Sequence, residues 1–455
     1  MNLLSLTTLR ELLRLSLPMV VSQGTFAVMI FTDRWFMAQI DATHIAASMG
    51  GGVAAMFCMS LFMGVISYGN ALVAQYYGSG QMDKCPRGVT QALVIVLCSA
   101  PMLFLLGFSG SGAFELLGHD PAQVPLEQAY FQVLMYGAAM HLGKAAFASY
   151  FAGIGRTQVI MVTDVLSIMV NVPLSWALIF GHGPWPALGI VGAGLGTVIA
   201  MAFSIAIYLC FYLTKSHRLQ FAVGQSLHFD RGIMRRYLRL GMPSGIEAFM
   251  NSATFNLFLL MFQAYGVVEG ASMAIVFNWD MLSFIPMTGL NIGVMTLIGR
   301  FVGAGDMARA NQVISSGFIV ALGYSGLLAI LFLLFRTNLI DVFATNDANF
   351  DEIRTLASAM MVGLVTYMMA DAVILISGGA LRGAGDTRWI MITSTSLHWL
   401  MLVAQYFVIS VWKLPPLVSW WVFVAMLLSI AGCFSWRLLG GRWRQPERLA
   451  RVMQE

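Results

Sequence analysis

The sequence predicts an all-α polytopic membrane protein: twelve transmembrane helices in two six-helix lobes related by a pseudo-two-fold axis along the membrane normal. Three observations carry this prediction. Apolar runs of about 20 residues, the length that crosses a bilayer, recur along the 455-residue chain. Lysine and arginine collect in alternate connections. Three short motifs return in the same order in the second half. Only 10% of the residues are charged and 58% are hydrophobic, whereas soluble domains carry about 25% charge. A membrane β-barrel would need alternating strands of about 10 residues, and these runs are too long and too uniformly apolar.

The first run begins near Leu12 and has no small-residue cleavage site, so it reads as a span and not as a cleavable signal peptide. Runs and breakers together give spans at 12–39, 45–76, 89–110, 128–154, 157–181, 190–214, 238–264, 270–299, 310–335, 355–381, 387–411 and 418–436. The lobes are then 1–214 and 238–436, joined by a basic linker, 215–237, and followed by a tail, 437–455.

One set of connections holds 20 of the 25 lysines and arginines, from Arg10 and Arg14 through Lys215, Arg218, Arg231, Arg235, Arg236 and Arg239 to Arg451. The opposite connections, such as "GHGPWPALG" and "AYGVVEG", hold almost none. By the positive-inside rule both termini are expected in the cytoplasm, and the formal charge of +4 is topological, not a nucleic-acid footprint. The five cysteines are scattered without metal-ligand spacing and read as small packing residues.

The repeat shows in three places. "LRLSLPMV" (13–20) returns as "LRLGMPSG" (238–245), and "AQYYGSGQM" (74–82) as "GRFVGAGDM" (299–307), both displaced by 225 residues. "GRTQVIM" (155–161) returns as "GDTRWIM" (385–391), displaced by 230. Six spans is an even number, so both halves enter from the same side, the parallel-repeat arrangement of many secondary transporters.

On these residues the chain resembles the multidrug and toxic compound extrusion (MATE) transporters. The resemblance lies in "QYYGSG" and "RFVGAGD", the proline-bearing starts of spans 1 and 7, "GRT" before span 5, "NVPL" at 171–174, and "LRGAGDTR" at 381–388. It covers essentially the whole chain. It implies cation-coupled efflux of organic cations and other drugs by two lobes opening alternately to each side.

Ionisable groups inside apolar runs are expensive and mark function by default. In "TYMMAD", Tyr367 precedes Asp371 by four residues, on one helical face. A phenolic oxygen beside a carboxylate suits a hard cation or a carboxyl exchanging its proton. Glu247 follows Pro243 by four residues, about 10 Å into span 7. The resemblance implies cation coupling at Glu247, Tyr367 and Asp371, with Na⁺ held at Glu247 and Asp371. Asp280 in "FNWDMLSFIP" departs from the family, which has a small polar residue there; it could add an acidic ligand or meet substrate. Asn278, two residues before it, is a further candidate on a different face.

In the first lobe, Asp33, Asn171 and Gln23 are candidates for substrate or proton binding, the first two implied by the resemblance. Arg34 must point away from Asp33. A second aspartate expected four residues after Asn171 in the DinF-like branch is Ser175 here, which favours the NorM-like branch. Asp164 reads as interfacial, and His141, Lys144 and His398 as packing or mouth residues.

No nucleophile elbow, phosphate loop or metal-histidine motif occurs, and "GAGDTR" follows no strand, so neither an enzyme nor a built-in ATPase is expected. The expectation is therefore an antiporter with no cofactor, coupled to Na⁺ or H⁺. It would act on small organic cations and drugs as a monomer in a bacterial-type inner membrane, without nucleic acid. A lipid-linked precursor or polysaccharide flippase of the wider superfamily is the alternative. It should present several cations to a pyrophosphate, whereas the buried set here is five carboxylates against two bases.

Overall fold

The computed structural model describes residues 5–116, 120–183, 186–344 and 349–455. Pro184 and Trp185, in the cation-poor connection "GHGPWPALG", lie outside them. The described residues are helical, with no strand. In the first half the order is α1 (Leu6–Ala38), α2 (Ala42–Ser67), α3 (Gly69–Gly78), α4 (Lys84–Ser109), α5 (Ala113–Leu116), α6 (Val124–Tyr136), α7 (Ala138–Gly153), α8 (Thr157–Phe180) and α9 (Ile190–Tyr212). The linker carries α10 (Lys215–Phe221). The second half holds α11 (Arg231–Gln263), α12 (Val267–Gly303), α13 (Met307–Leu334), α14 (Arg336–Asp341), α15 (Phe350–Gly383), α16 (Thr387–Tyr406) and α17 (Pro416–Leu439), followed by α18 (Pro446–Met453).

Eleven helical stretches among the described residues are long and apolar enough to cross a membrane. The twelfth predicted span, 128–154, is α6 and α7 meeting at Gly137. A side chain there would start 2.2 Å from Val198 Cγ2 of α9, so only glycine admits that approach. Span 2 is likewise α2 and α3, divided at the buried Tyr68. Prolines 18, 101, 173, 243 and 286 sit inside helices, where membrane helices tolerate them.

The repeat has a physical basis in backbone conformation. Gly80 (φ +77°) and Gly305 (φ +74°) take the same left-handed turn, and so do Gly155 (φ +78°) and Gly385 (φ +83°). That region is costly for residues with a Cβ. The echoed motifs therefore preserve the turns that end one helix and start the next.

By packing, the described residues form two units: Met1–Val20 with Met250–Val302 and Asp306–Met453, and Val21–Phe249 with Gly303–Gly305 and Gln454–Glu455. Helix α1 passes from the first unit to the second at Val20–Val21, and α11 passes in the opposite sense at Phe249–Met250. In the first unit Trp420 is fully buried, donates its indole N–H to Met360 O (3.0 Å), and stands at the centre of the core. Phe258 and Phe423 stack beside it with ring centres 4.8 Å apart. In the second unit Phe36, Met37, Tyr130, Ile179 and Ile190 bring together α1, α6, α8 and α9.

One close contact occurs once in each unit. A Cβ on Gly64 of α2 would lie 2.7 Å from the Gly245 Cα of α11. A Cβ on Gly289 of α12 would lie 2.7 Å from the Val20 amide of α1. Both members of the pair are displaced by 225 residues, the offset of the sequence repeat. Backbone-to-backbone approach through glycine is the ordinary means of packing helices in lipid.

Candidate functional site

The first unit gathers three of the predicted residues. Tyr367 and Asp371 lie one turn apart on α15, and Asp280 reaches toward them from α12. Tyr367 is 1% exposed. Its ring is set edge-on against both Phe423 (centroids 5.7 Å apart) and Trp420 (6.1 Å) of α17. Trp420 is itself fixed over Gly363, where a Cβ would fall 2.3 Å from the indole nitrogen. The phenol ring is thus immobilised by apolar neighbours, and its hydroxyl points at the Asp280 carboxyl. Neither Tyr367 Oη nor Asp280 Oδ1 closes an aligned hydrogen bond among the described residues, although both are enclosed. The Asp280 and Asp371 carboxyls lie near enough to act on each other electrostatically. Buried oxygens without partners are costly, so the arrangement suits an occupant that accepts oxygen ligands or supplies a proton.

Asn278 does not join this group. It is exposed, and its side-chain amide donates to Ala274 O at 2.8 Å on its own helix. Glu247 is 4% exposed on α11 and belongs to the second unit.

The second unit holds two polar sites strung along α1 and α8. In the first, Asp33 Oδ2 accepts from the Thr197 hydroxyl of α9 at 3.1 Å, and Ser175 of α8 also reaches its carboxyl. The Asn171 amide donates to Ser175 Oγ at 3.3 Å. Asp33 Oδ1 and Asn171 Oδ1 are enclosed without partners among the described residues. Gly196 makes room for this set, since a Cβ there would lie 2.3 Å from Ser175 Oγ. Arg34 is exposed, as expected for a residue facing away from its neighbour.

In the second site Asp164 is 8% exposed. Lys144 Nζ of α7 lies 2.7 Å from its Oδ1, and the Ser22 hydroxyl of α1 donates to its Oδ2. A lysine within an apolar run needs a counter-ion, and α8 brings one. Gln23, next to Ser22, is half-buried. Sequence reasoning missed Thr197 and Ser22, since hydroxyl residues are too common in membrane helices to stand out. It also missed the Lys144–Asp164 pair, for which the buried lysine was the available signal.

The MatE family profile matches residues 18–177 and 243–407. The chain is 23% identical over 462 aligned residues to multidrug resistance protein MdtK of Yersinia pseudotuberculosis serotype O:1b (strain IP 31758), covering 98% of this chain and 97% of that one. It is 25% identical over 444 residues to the MdtK of Cronobacter sakazakii (strain ATCC BAA-894), covering 94% of each. Among solved structures, the eukaryotic MATE transporter AtDTX14 superposes with a TM-score of 0.87 at 15% identity, over 98% of this chain and 99% of the other. An outward-facing multidrug resistance MATE transporter of the MOP superfamily gives 0.85 at 17%, over 98% and 97%. These likenesses share the fold. The family profile spans both halves of the chain, and the chain belongs to the MatE family of membrane transporters.

Proposed function

We propose that this protein exports amphipathic, mostly cationic organic compounds in exchange for Na⁺ or H⁺ by alternating access. The observation that carries this reading is the group of Asp280, Tyr367 and Asp371, in which the Tyr367 hydroxyl and Asp280 Oδ1 are enclosed without a closed partner among the described residues. Supporting it, Asp33, Asp280 and Asp371 form no ion pair among the described residues, whereas the half-buried Lys144 is held by Asp164. These three carboxyls attract cations and repel a pyrophosphate head group. This favours drug export over the flippase reading.

In this scheme the three oxygens bind either Na⁺, as ligands, or H⁺, taken up by one carboxyl. Loading with the cation removes net negative charge and weakens the hold on a positively charged substrate elsewhere in the protein. Asp33, with Asn171 joined to it through Ser175, and Gln23 further along α1 belong to the substrate- or proton-binding side of the cycle. Glu247, buried on α11, is a further acid whose charge contributes to coupling. One elementary charge moving through 100 mV is worth about 2.3 kcal/mol, which sustains roughly a 50-fold substrate gradient. The protein works as a monomer in a bacterial-type inner membrane, with its arginine-rich face and both termini in the cytoplasm.

The test uses purified protein in liposomes with ethidium efflux as readout, under a sodium gradient or a pH gradient imposed separately. One gradient should drive efflux, and Asp371→Asn and Glu247→Gln should uncouple it. Efflux by both variants at the rate of the unaltered protein under each gradient would overturn the coupling site.

A further inference from the structure

A groove of about 370 Å³ opens on the surface of the second unit between α2, α4 and the start of α11. Val65 of α2, Cys98 and Met102 of α4, and Phe229, Leu238 and Met242 at α11 are among its lining residues, which are apolar apart from Ser99 and the Cys98 thiol. Phe229 is 59% exposed and Met102 is 50% exposed. The helix that forms one wall changes character along a single face. Arg231, Arg235, Leu238 and Met242 are spaced four, three and four residues apart, hence aligned, and all four are exposed. Neither Arg231 nor Arg235 forms an ion pair or side-chain hydrogen bond among the described residues. Their neighbours are different: Arg87 lies against Asp83 (3.3 Å) and Asp230 (3.5 Å), and Asp230 caps α11 by accepting from the Gly232 and Ile233 amides.

We propose that this groove and the two arginines above it form a binding site for one anionic phospholipid of the arginine-rich leaflet. Its phosphate would rest on Arg231 and Arg235, and an acyl chain would lie along the groove. Charge complementarity selects this occupant. From Arg235 to Met242 the helix rises about 10 Å, so the face passes from head-group depth into hydrocarbon within two turns. A lone apolar groove would hold any acyl chain. Two unpaired guanidinium groups at its mouth, each a bidentate phosphate ligand, add a preference for negative head groups.

The test is native mass spectrometry of the full-length protein, delipidated in detergent and titrated with dioleoylphosphatidylglycerol or dioleoylphosphatidylcholine. At about 1 kcal/mol per arginine near a membrane surface, Arg231→Gln/Arg235→Gln should weaken phosphatidylglycerol binding about 30-fold. Phosphatidylcholine binding should not change. The charge-matched Arg218→Gln/Arg442→Gln variant, altered at exposed arginines elsewhere, should keep the preference. Phosphatidylglycerol should also slow alkylation of Cys98 in the unaltered protein while leaving Cys210, which is exposed on α9, at its original rate. The proposal is overturned if the two double variants lose phosphatidylglycerol equally or not at all. It is also overturned if ethidium or phosphatidylcholine protects Cys98 as well as phosphatidylglycerol does.

Discussion

Replacing Lys144 by methionine removes a charge and keeps most of the side-chain volume, so it isolates the electrostatics of the α7–α8 contact. The pair is close, 2.7 Å from Nζ to Oδ1, with side-chain exposures of 18% and 10%. Breaking a fully buried pair by deleting one partner costs about 3–5 kcal/mol, because the other charge is stranded. Here the Ser22 hydroxyl still donates to Asp164, and the residual exposure admits some water. The expected loss for Lys144→Met is therefore about 2–3 kcal/mol, or roughly 30–150-fold in the unfolding equilibrium. Lys144→Met/Asp164→Leu removes both charges and should recover to within about 1 kcal/mol of the unaltered protein. Reversible unfolding in mixed micelles of detergent and dodecyl sulfate measures the full double-mutant cycle. A single-variant loss under about 0.5 kcal/mol, or a double variant as unstable as the sum of the singles, would refute the assignment of a coupled buried pair.

Three further outcomes are expected. Asp280→Asn should weaken ion-driven efflux as Asp371→Asn does, and combining the two should add little, since both carboxyls serve one group with Tyr367; full additivity in the liposome assay would separate them. Gly245→Ala places a Cβ 2.4 Å from Leu61 O, and Gly289→Ala places one 2.7 Å from the Val20 amide. Each should cost about 1–3 kcal/mol and lower the thermal midpoint in detergent; unchanged midpoints would refute the close packing. His217 of α10 is 1% exposed, and burial beside Arg156 pushes its imidazole down from 6.5 to about 4. An Arg156 N–H meets Nδ1 at 3.1 Å, which demands the neutral ring. A lowered histidine contributes stability that is complete above 6.5 and is lost as the pH falls toward 4. Tryptic cleavage at Lys215 and Arg218, assayed on samples returned briefly to neutral pH, should therefore rise after incubation below about pH 5, and His217→Phe should abolish the rise.

Much of the fold was legible because lipid forces long apolar helices and because glycine turns leave a mark in sequence. The echoes at 80 and 305 and at 155 and 385 are left-handed turns that few other residues can make. The division of span 4 was not legible, since nothing local to Gly137 announces that Val198 of α9 will press against it. Within the candidate site, Tyr367 and Asp371 could be paired from helical spacing alone. Asp280 could be suspected, but its approach to Tyr367 depends on how α12 packs beside α15, which no local pattern encodes. Asn278 illustrates the same limit: its amide bonds back to Ala274 O and does not point into the acidic group. Lys144 and Asp164 are 20 residues apart, on two helices joined by the tight turn at Gly155. Each was visible as a buried charge, and pairing them required knowing that α7 and α8 turn the same faces together.

The exchange of helix segments between packing units bears on how the chain can be divided. Residues up to Val20 complete the core built mostly from the second half, and Arg231–Phe249 complete the one built from the first. A cut in the linker would thus produce two fragments that each carry a piece of the other's interior. Neither fragment could mature alone, and co-expressed fragments should recover only by reciprocal donation, as swapped protomers do. The same arrangement would let a half-length forebear close both cores by trading its opening segment with a second copy.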